Sequence, residues 1–349
     1  MAIVSGVKPH NGWVEIGGAG RFQVINGQVE YNAVGGTNNN MDVTLPLNAP
    51  GYLEAIAPLT GNMSVDITAI VLSQGGEQPL NNAPFKIKKI TFQLTATKIL
   101  IHAEDDFSQL NQMRLNDSNT NMKGNEIVDK WVSGTAGLPF VSDPSNVFAG
   151  RKIGQDHVKL TDNISIMTAG HKMAETDGMR FYMDQNGVVN YKKAGSGDTY
   201  SIYWRQPTPQ NYMVSDALDI KVIHNLDASG TWEHTQKSYD PSRKKTETAT
   251  HTIQGSGKTI QSYQDTPQRD EDQTFNDAMV AAERGASHEW ECQTTIVGDP
   301  SVTVDMNLQL SGPTDPLSQT FPIDSIVHNF GINGYTTTIN GKTKDKSRE

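Results

Sequence analysis

Along most of this chain apolar residues alternate with polar ones, which is the period of half-buried strands rather than of helices. In the first hundred residues Trp13 to Ile16, Phe22 to Ile25, Met41 to Leu47, Met63 to Leu72 and Phe85 to Ala103 are β-rich runs. Asn26-Gly27, between two of them, reads as a hairpin turn, and Gly17-Gly18-Ala19-Gly20 reads as a tight turn between strands. In the run from Ser64 to Ile70, Val65, Ile67 and Ala69 share one face while Ser64, Asp66 and Thr68 share the other. Strands at this spacing predict a barrel or a sandwich.

From Glu104 the period lengthens. A short amphipathic piece carries Phe107, Leu110 and Met113. A helix after Asn121 places Ile127, Val128, Trp131 and Val132 on one stripe, with Gly134 beyond its end. A third helix is expected to start at Thr161 or Asp162, to bury Ile166, Met167, Ala169, Met173 and Ala174, and to stop before Gly178. Arg180 to Asp184 and Val188 to Lys192 flank Gln185-Asn186-Gly187 as a hairpin, and Gly195-Ser196-Gly197 with Pro207 and Pro209 marks the exit from a small α/β domain.

The last third returns to strands. Tyr212 to Asn225 contains one, and a polar stretch then runs from Lys237 to Gln273, with a basic knot at Arg243, Lys244 and Lys245 and an acidic one at Asp270, Glu271 and Asp272. Both knots read as solvated faces. A helix follows, with Phe275, Ala278, Met279 and Ala282 on one side. Trp290, Cys292, Thr294 and Ile296 then alternate, as do Val302, Val304, Met306, Leu308 and Leu310, which predicts a half-buried strand over those nine residues. Phe321 to Phe330 and Tyr335 to Thr343 form a hairpin-like pair across Asn333-Gly334.

Composition sharpens this picture. Of 349 residues, 36% are hydrophobic and 19% charged, while 32 Thr, 31 Gly and 26 Asn supply an excess of neutral polar and turn-forming types. The apolar content is enough for a sizeable core. A net charge of -10 removes any global attraction for nucleic acid phosphates. A single cysteine, Cys292, excludes an intrachain disulfide framework and a multi-cysteine metal site, in keeping with synthesis in a reducing cytoplasm. Met1-Ala-Ile-Val has no secretory-signal pattern and no run approaches a membrane span, so a soluble chain is expected.

Each motif with possible chemistry has a plainer explanation. Gly255-Ser256-Gly257-Lys258-Thr259 ends like a phosphate-binding loop, but Thr252 stands where the first glycine belongs and no helical pattern follows, so it reads as a polar turn. The nine histidines show no HExxH or His-x-His spacing; His157, His171, His224, His234 and His251 lie scattered. Glu104, Asp105 and Asp106 resemble paired catalytic carboxylates at a barrel mouth, and read more simply as acids at a helix N-terminus. Cys292 sits mid-strand as a buried thiol, and Trp13, Trp204 and Trp232 read as packing rather than sugar-stacking residues. No catalytic, cofactor-binding or metal-binding residue is assigned, and the chain is expected not to be an enzyme.

The order of segments carries a resemblance. Phe85-Lys86-Ile87-Lys88-Lys89-Ile90 followed by Ile99-Leu100-Ile101-His102-Ala103-Glu104-Asp105-Asp106 resembles the first barrel of the baseplate hub proteins of contractile-tailed phages, the Mu-type or late-control-D family. Asn125-Glu126-Ile127-Val128, with a helix ending before Gly137-Leu138, and Ile166 to Gly178 followed by Phe181-Tyr182-Met183 are similar to its small α/β domain. Val297-Gly298-Asp299-Pro300, Phe321-Pro322-Ile323-Asp324-Ser325-Ile326-Val327-His328 and Gly334-Tyr335-Thr336-Thr337 are similar to its closing strands, although Leu310-Ser311-Gly312-Pro313 is a later and longer connection than the family's turn.

The resemblance implies a β-rich α+β fold with two antiparallel β-barrels, an inserted small α/β domain and a further insertion containing a helix. The expected divisions are 1–104 for the first barrel, 105–206 for the α/β domain, 207–236 with 288–345 for the second barrel, and 237–287 for the polar insertion. It further implies a virion structural protein: a homotrimeric ring at the tail baseplate that joins the sixfold tail tube protein to a threefold tail spike protein and contacts other baseplate proteins. DNA would pass through its lumen without specific binding, past a wall expected to be neutral or acidic, and no membrane binding is expected. The alternatives are the spike base of a type VI secretion system or contractile bacteriocin, made less favoured by the absence of a fused needle before Glu349, a cell-wall hydrolase using Glu104 or Asp106, and a carbohydrate-binding module.

Overall fold

A computed structural model describes residues 12–35, 37–61, 65–73, 75–115, 118–119, 122–143, 158–159, 164–205, 215–240, 244–265, 271–312 and 317–345. The first third supplies β1 (Gly12–Ile16), β2 (Gly20–Gln23), β3 (Asn26–Asn32), β4 (Asn40–Pro46), a one-turn helix α1 (Tyr52–Ile56), β5 (Asp66–Ser73), β6 (Gly76–Pro79), β7 (Phe85–Gln93) and β8 (Lys98–Glu104). The run from Phe85 to Ala103 is therefore a hairpin, broken at residues 94–97, where Thr97 adopts a positive φ. Val65, Ile67, Ala69 and Val71 are buried as the alternation predicts; Met63 and Ser64 lie outside the described residues.

Asn26-Gly27 is not a turn. These residues open β3, and β2 pairs with β1 across the Gly17-Gly18-Ala19 turn instead. Gly27 is required by a close approach: a Cβ there would lie 2.4 Å from the Phe330 ring.

The middle third holds α2 (Ser108–Gln112), β9 (Ser118–Asn119), α3 (Gly124–Asp129), β10 (Phe140–Ser142), β11 (Val158–Lys159), α4 (Ile166–Asp177), β12 (Arg180–Met183) and β13 (Val189–Lys192). The α3 helix runs on as a π-helical stretch over Lys130–Ala136, passing Gly134, and ends where Gly137 takes φ 70°. The wider π turn keeps Trp131 and Val132 buried. Ser165 caps α4, its hydroxyl accepting from Thr168 N at 3.1 Å; the expected start at Thr161 or Asp162 lies outside the described residues. β12 and β13 form the expected hairpin and β10 adds to it in parallel. Their apolar faces and the three helices enclose a core built on Phe107, Trp131, Phe181 and Tyr191.

The last third contains β14 (Thr199–Tyr203), β15 (Asp219–His224), β16 (Thr231–Asp240), β17 (Lys245–Ile253), β18 (Thr259–Asp265), α5 (Glu271–Ala286), β19 (Trp290–Val297), β20 (Asn307–Ser311), β21 (Thr320–Gly331) and β22 (Gly334–Thr343). β21 and β22 form the predicted hairpin. The nine-residue strand expected from Val302 does not form. Met306 N donates to Thr303 O at 3.2 Å and Gly197 N to Asp305 O at 2.8 Å, so a turn occupies that stretch and only β20 is extended. Val302 and Val304 are nevertheless buried, which is what made the alternation look like a strand. The polar stretch begins earlier than Lys237, because β16 starts at Thr231; its Arg243 and Asp270 lie outside the described residues. On α5 the buried stripe is Thr274, Ala278, Ala282 and Ala286, and Phe275 is exposed.

The expectation of two barrels meets a different pairing. The large sheet has 14 strands, running β15-β19-β22-β21-β3-β4-β8-β7-β5-β1-β2, with β6, β14 and β20 attached. Among the described residues this path is open, and no barrel closes. The reason is the β3–β21 ladder, which pairs Asn26 through Asn32 with Gly331 through Ser325 and fuses the first and last thirds into one sheet. Their buried side chains accordingly form one core, from Val14 and Val29 to Phe330 and Ile339. The separate sheet β17-β16-β18 carries α5 on one face.

Candidate functional site

Pairing register decides which side chains share a face of the large sheet. On one face lie Val29, His328, Thr337 and their neighbours, all buried. The other face is solvent-facing and mostly uncharged. Gln28 stands opposite Asn329, which stands opposite Thr336; Asn32 stands opposite Ser325, which stands opposite Asn340 and then Gln293. Side chains bond across the strands: Asn340 Nδ2 donates to Ser325 Oγ at 3.0 Å, and the hydroxyls of Thr295 and Thr338 lie 3.2 Å apart.

Charges on this face are mixed. Glu30, Asp42 and Glu104 accompany Lys86, Lys98 and Lys342, and His102 Nδ1 lies 2.8 Å from Asp42. The chain's negative charge is therefore not gathered here. The sheet presents a broad polar surface of Thr, Asn, Gln and Ser side chains, some of them hydrogen-bonded to one another. Such groups offer polar contacts without a strong field of either sign.

One end of this sheet is clamped to the middle third. The Asn39 amide donates to Asp105 Oδ2 at 2.7 Å and to Met183 O at 2.8 Å. Asn82 N and Ala83 N both donate to Gln185 O in the β12–β13 turn, at 2.9 and 3.1 Å. The Arg180 guanidinium donates to Ile323 O and pairs with Asp324. Burial pushes Arg180 down and Asp324 up from their ordinary values, so desolvation outweighs their mutual attraction. Such a pair fixes orientation more than it stabilises.

The acids Glu104, Asp105 and Asp106 do not form a catalytic pair. Glu104 ends β8 on the polar face, 3.6 Å from His102 Nε2, while Asp105 is buried on the opposite side and Asp106 is exposed. Burial raises Asp105 to about 8. Neither acid enters the first turn of α2.

The scattered histidines do not gather into one site, although His234 and His251 are cross-strand partners on β16 and β17. His171 packs against Phe107 and Phe181, His224 stacks on Trp290 at 4.0 Å, and His251 meets Phe275; His157 lies outside the described residues. No cluster of three or more His, Cys, Asp or Glu suited to a metal occurs among the described residues. Burial raises the Cys292 thiol, which suits a structural role. Gly255 to Lys258 lie in the turn between β17 and β18, and Thr259 opens β18. Trp13 is covered by Arg21 at 4.4 Å, Trp204 packs on Gly312, and Trp232 packs on Gly285, so none presents an open stacking face.

One polar cluster escaped the sequence reading. Beneath α5 the inward residues of β16 and β17 include His234, Gln236, Ser238 and Glu247, all buried. Alternation of polar with polar residues carries no hydrophobic period, so only the fold brings them to view.

No family model and no curated protein matches the chain. Solved structures do match in shape. The 43 kDa tail protein of prophage MuSo2 from Shewanella oneidensis superposes with a TM-score of 0.70 at 10% identity, over 97% of this chain and 100% of that one. The fold is that of a phage tail protein. A tail protein from Neisseria meningitidis MC58 gives 0.70 at 8% identity, covering 95% and 96%. An Escherichia coli component of the type VI secretion system, which exhibits structural similarity to the T4 bacteriophage tail proteins gp27 and gp5, gives 0.55 at 11% identity, covering 93% and 74%. These are the tail and secretion-spike folds that the order of segments resembles.

Proposed function

We propose that this chain is a structural subunit of a phage tail, the central hub of the baseplate. Three copies form a ring that joins the tail tube protein on one side to the tail spike protein on the other and contacts other baseplate proteins. In this reading residues 1–104, and 207–236 with 288–345, are the two ring-building parts, 105–206 is the α/β unit clamped across one end, its last strand β14 passing into the large sheet, and 237–287 is an insertion whose own sheet begins already at Thr231. The polar face of the 14-stranded sheet lines the lumen and lets DNA pass without holding it.

The observation that carries the reading is that face: polar side chains, mostly neutral and with acids and lysines of both signs among them, continue from β19 through β22, β21 and β3 to β4, across both parts of the chain. It is backed by tail folds that cover nearly the whole chain. The protein works by its shape and surface, and its site is a wall.

Sedimentation equilibrium of the purified chain, alone and with its spike partner, tests this reading. A trimer in either sample is expected, and a monomer in both overturns the hub. A second reading, the spike base of a type VI secretion system, is favoured by the similarity to the Escherichia coli component. Retention of the chain on purified virions, in an electron-microscopic map of the tail, separates the two.

A further inference from the structure

The sheet under α5 breaks the packing rule that the rest of the molecule follows. Its buried apolar core consists of Ile253, Ala282 and Ala286, with Trp232 packed against it, while His234, Gln236, Ser238 and Glu247 are buried on the same side, where Ala249 and His251 stand opposite Gln236 and His234. Buried polar side chains are costly unless fully bonded, and clusters of them mark places where a fold serves something besides stability.

His234 is at the centre. It lies 5% exposed on β16, in register with Ser262 on the parallel neighbour β18. Its Nδ1 is 2.7 Å from Ser262 Oγ, and its Nε2 is 3.2 Å from Oε1 of Gln236, which is 1% exposed. A carbonyl oxygen only accepts, so Nε2 carries the proton. Nδ1 then holds a lone pair, and the Ser262 hydroxyl donates to it. This is the nucleophile, base and orienting group of covalent catalysis, in that order.

The hydroxyl faces an opening. A cleft of about 470 Å³ lies between α5 and the uncovered face of β18, lined by Ser262, His234, Gln264, Asp277, Arg284 and His288 among others. It can admit a small ligand, and its wall carries Gln264 and Arg284, the latter paired with Glu175 at 3.0 Å.

We infer that Ser262 is a base-coupled nucleophile that takes the acyl group of small activated esters in this cleft. The carbonyl carbon bonds to Ser262 Oγ, the hydroxyl proton passes to His234 Nδ1, and the bond to the leaving alcohol breaks as that alcohol recovers the proton. Water, activated by the same imidazole, then cleaves the acyl-serine to a carboxylic acid and restores the hydroxyl. The inference is independent of the hub reading, because nothing in it depends on how copies assemble.

The probe is p-nitrophenyl acetate with the full chain, reading p-nitrophenolate release and, after an acid quench, the peptide that carries the acetyl group. Acetylation of Ser262 is expected, with release abolished in Ser262→Ala, unchanged in Ser256→Ala, and lowered about 100-fold in His234→Gln, the usual scale for losing a general base. Acetyl groups only on other residues, or release unaltered in Ser262→Ala, would overturn it. Should His234→Gln fail to fold, the peptide map of the acid-quenched parent decides: the acetyl group is expected on Ser262, and a map that carries it elsewhere defeats the proposal.

Discussion

Buried titrating side chains set how this protein responds to pH, and they pull in opposite directions. Asp105, raised to about 8 by burial, holds its proton in the fold over a range in which the unfolded chain has released it. Its contribution is complete below about 4 and is lost as pH climbs to about 8. His171 and His328 are lowered to about 4 by burial. They resist protons that the unfolded chain accepts, so they weaken the fold as pH falls from about 6.5 to about 4. Between those values the two histidines oppose Asp105 and, in the same direction as Asp105, the raised carboxyl of Asp324; above them the histidines no longer contribute. Melting temperature is therefore expected to peak near pH 6.5, and in Asp105→Asn the decline between pH 6.5 and 8 should vanish. Calorimetry across pH 4 to 9 checks both, and a parent whose stability rises steadily to pH 8 would contradict the assignment.

The clamp offers a second residue-level expectation. Arg180→Ala leaves the largely buried Asp324 without its partner, which should cost about 3–5 kcal/mol. Replacing both by apolar residues of similar size should recover much of that loss. Urea unfolding of the two variants measures the difference.

Among elements, the β3–β21 ladder depends on a fit between two residues about 300 positions apart. The Phe330 ring fills the space where a Gly27 side chain would stand. Gly27→Ala should destabilise by about 1–3 kcal/mol through overpacking, and Phe330→Ala by about 3–5 kcal/mol through the cavity it leaves. Phe330→Leu should relieve part of the Gly27→Ala loss, so the two substitutions should be non-additive in denaturant titrations.

Elements of this molecule were legible wherever a single face is apolar. The strand from Trp290 to Ile296, the α4 helix up to Gly178 and the β21–β22 hairpin each follow from local pattern. Local pattern failed where burial and backbone part company. Val302 and Val304 are buried in a turn, Gly27 is a glycine for close packing rather than for bending, and β17 and β18 are Thr- and Gln-rich strands with little apolar period. The polar face was invisible for a related reason: Gln28, Asn329 and Thr336 become neighbours only through register, which no short window contains.

At the scale of the whole molecule, the shared core predicts shared fate. The first and last thirds should unfold in one transition, seen alike by near-ultraviolet circular dichroism and by hydrogen exchange of β3 and β22. A fragment ending at Glu104 should not hold native structure, because β3 would lose its β21 neighbour and the shared core would lose its residues from Tyr182 to Ile339. Under the hub reading, placing lysines at Asn329 and Thr338 should leave assembly intact and slow genome release, since cations on the lumen wall would grip phosphates. Particles of normal morphology that eject at the parental rate would remove the polar face from that role.

The seam between β3 and β21 also sets a schedule for biosynthesis. A ribosome adds roughly 5–20 residues each second, so the earliest strands leave it many seconds before their permanent neighbour is made. Until then β3 waits with one bare edge and an uncovered apolar side, the condition in which nascent chains stick to each other. Efficient production should thus lean on holding chaperones during translation, and the last strands made, rather than the first, should decide when the polypeptide becomes a protein.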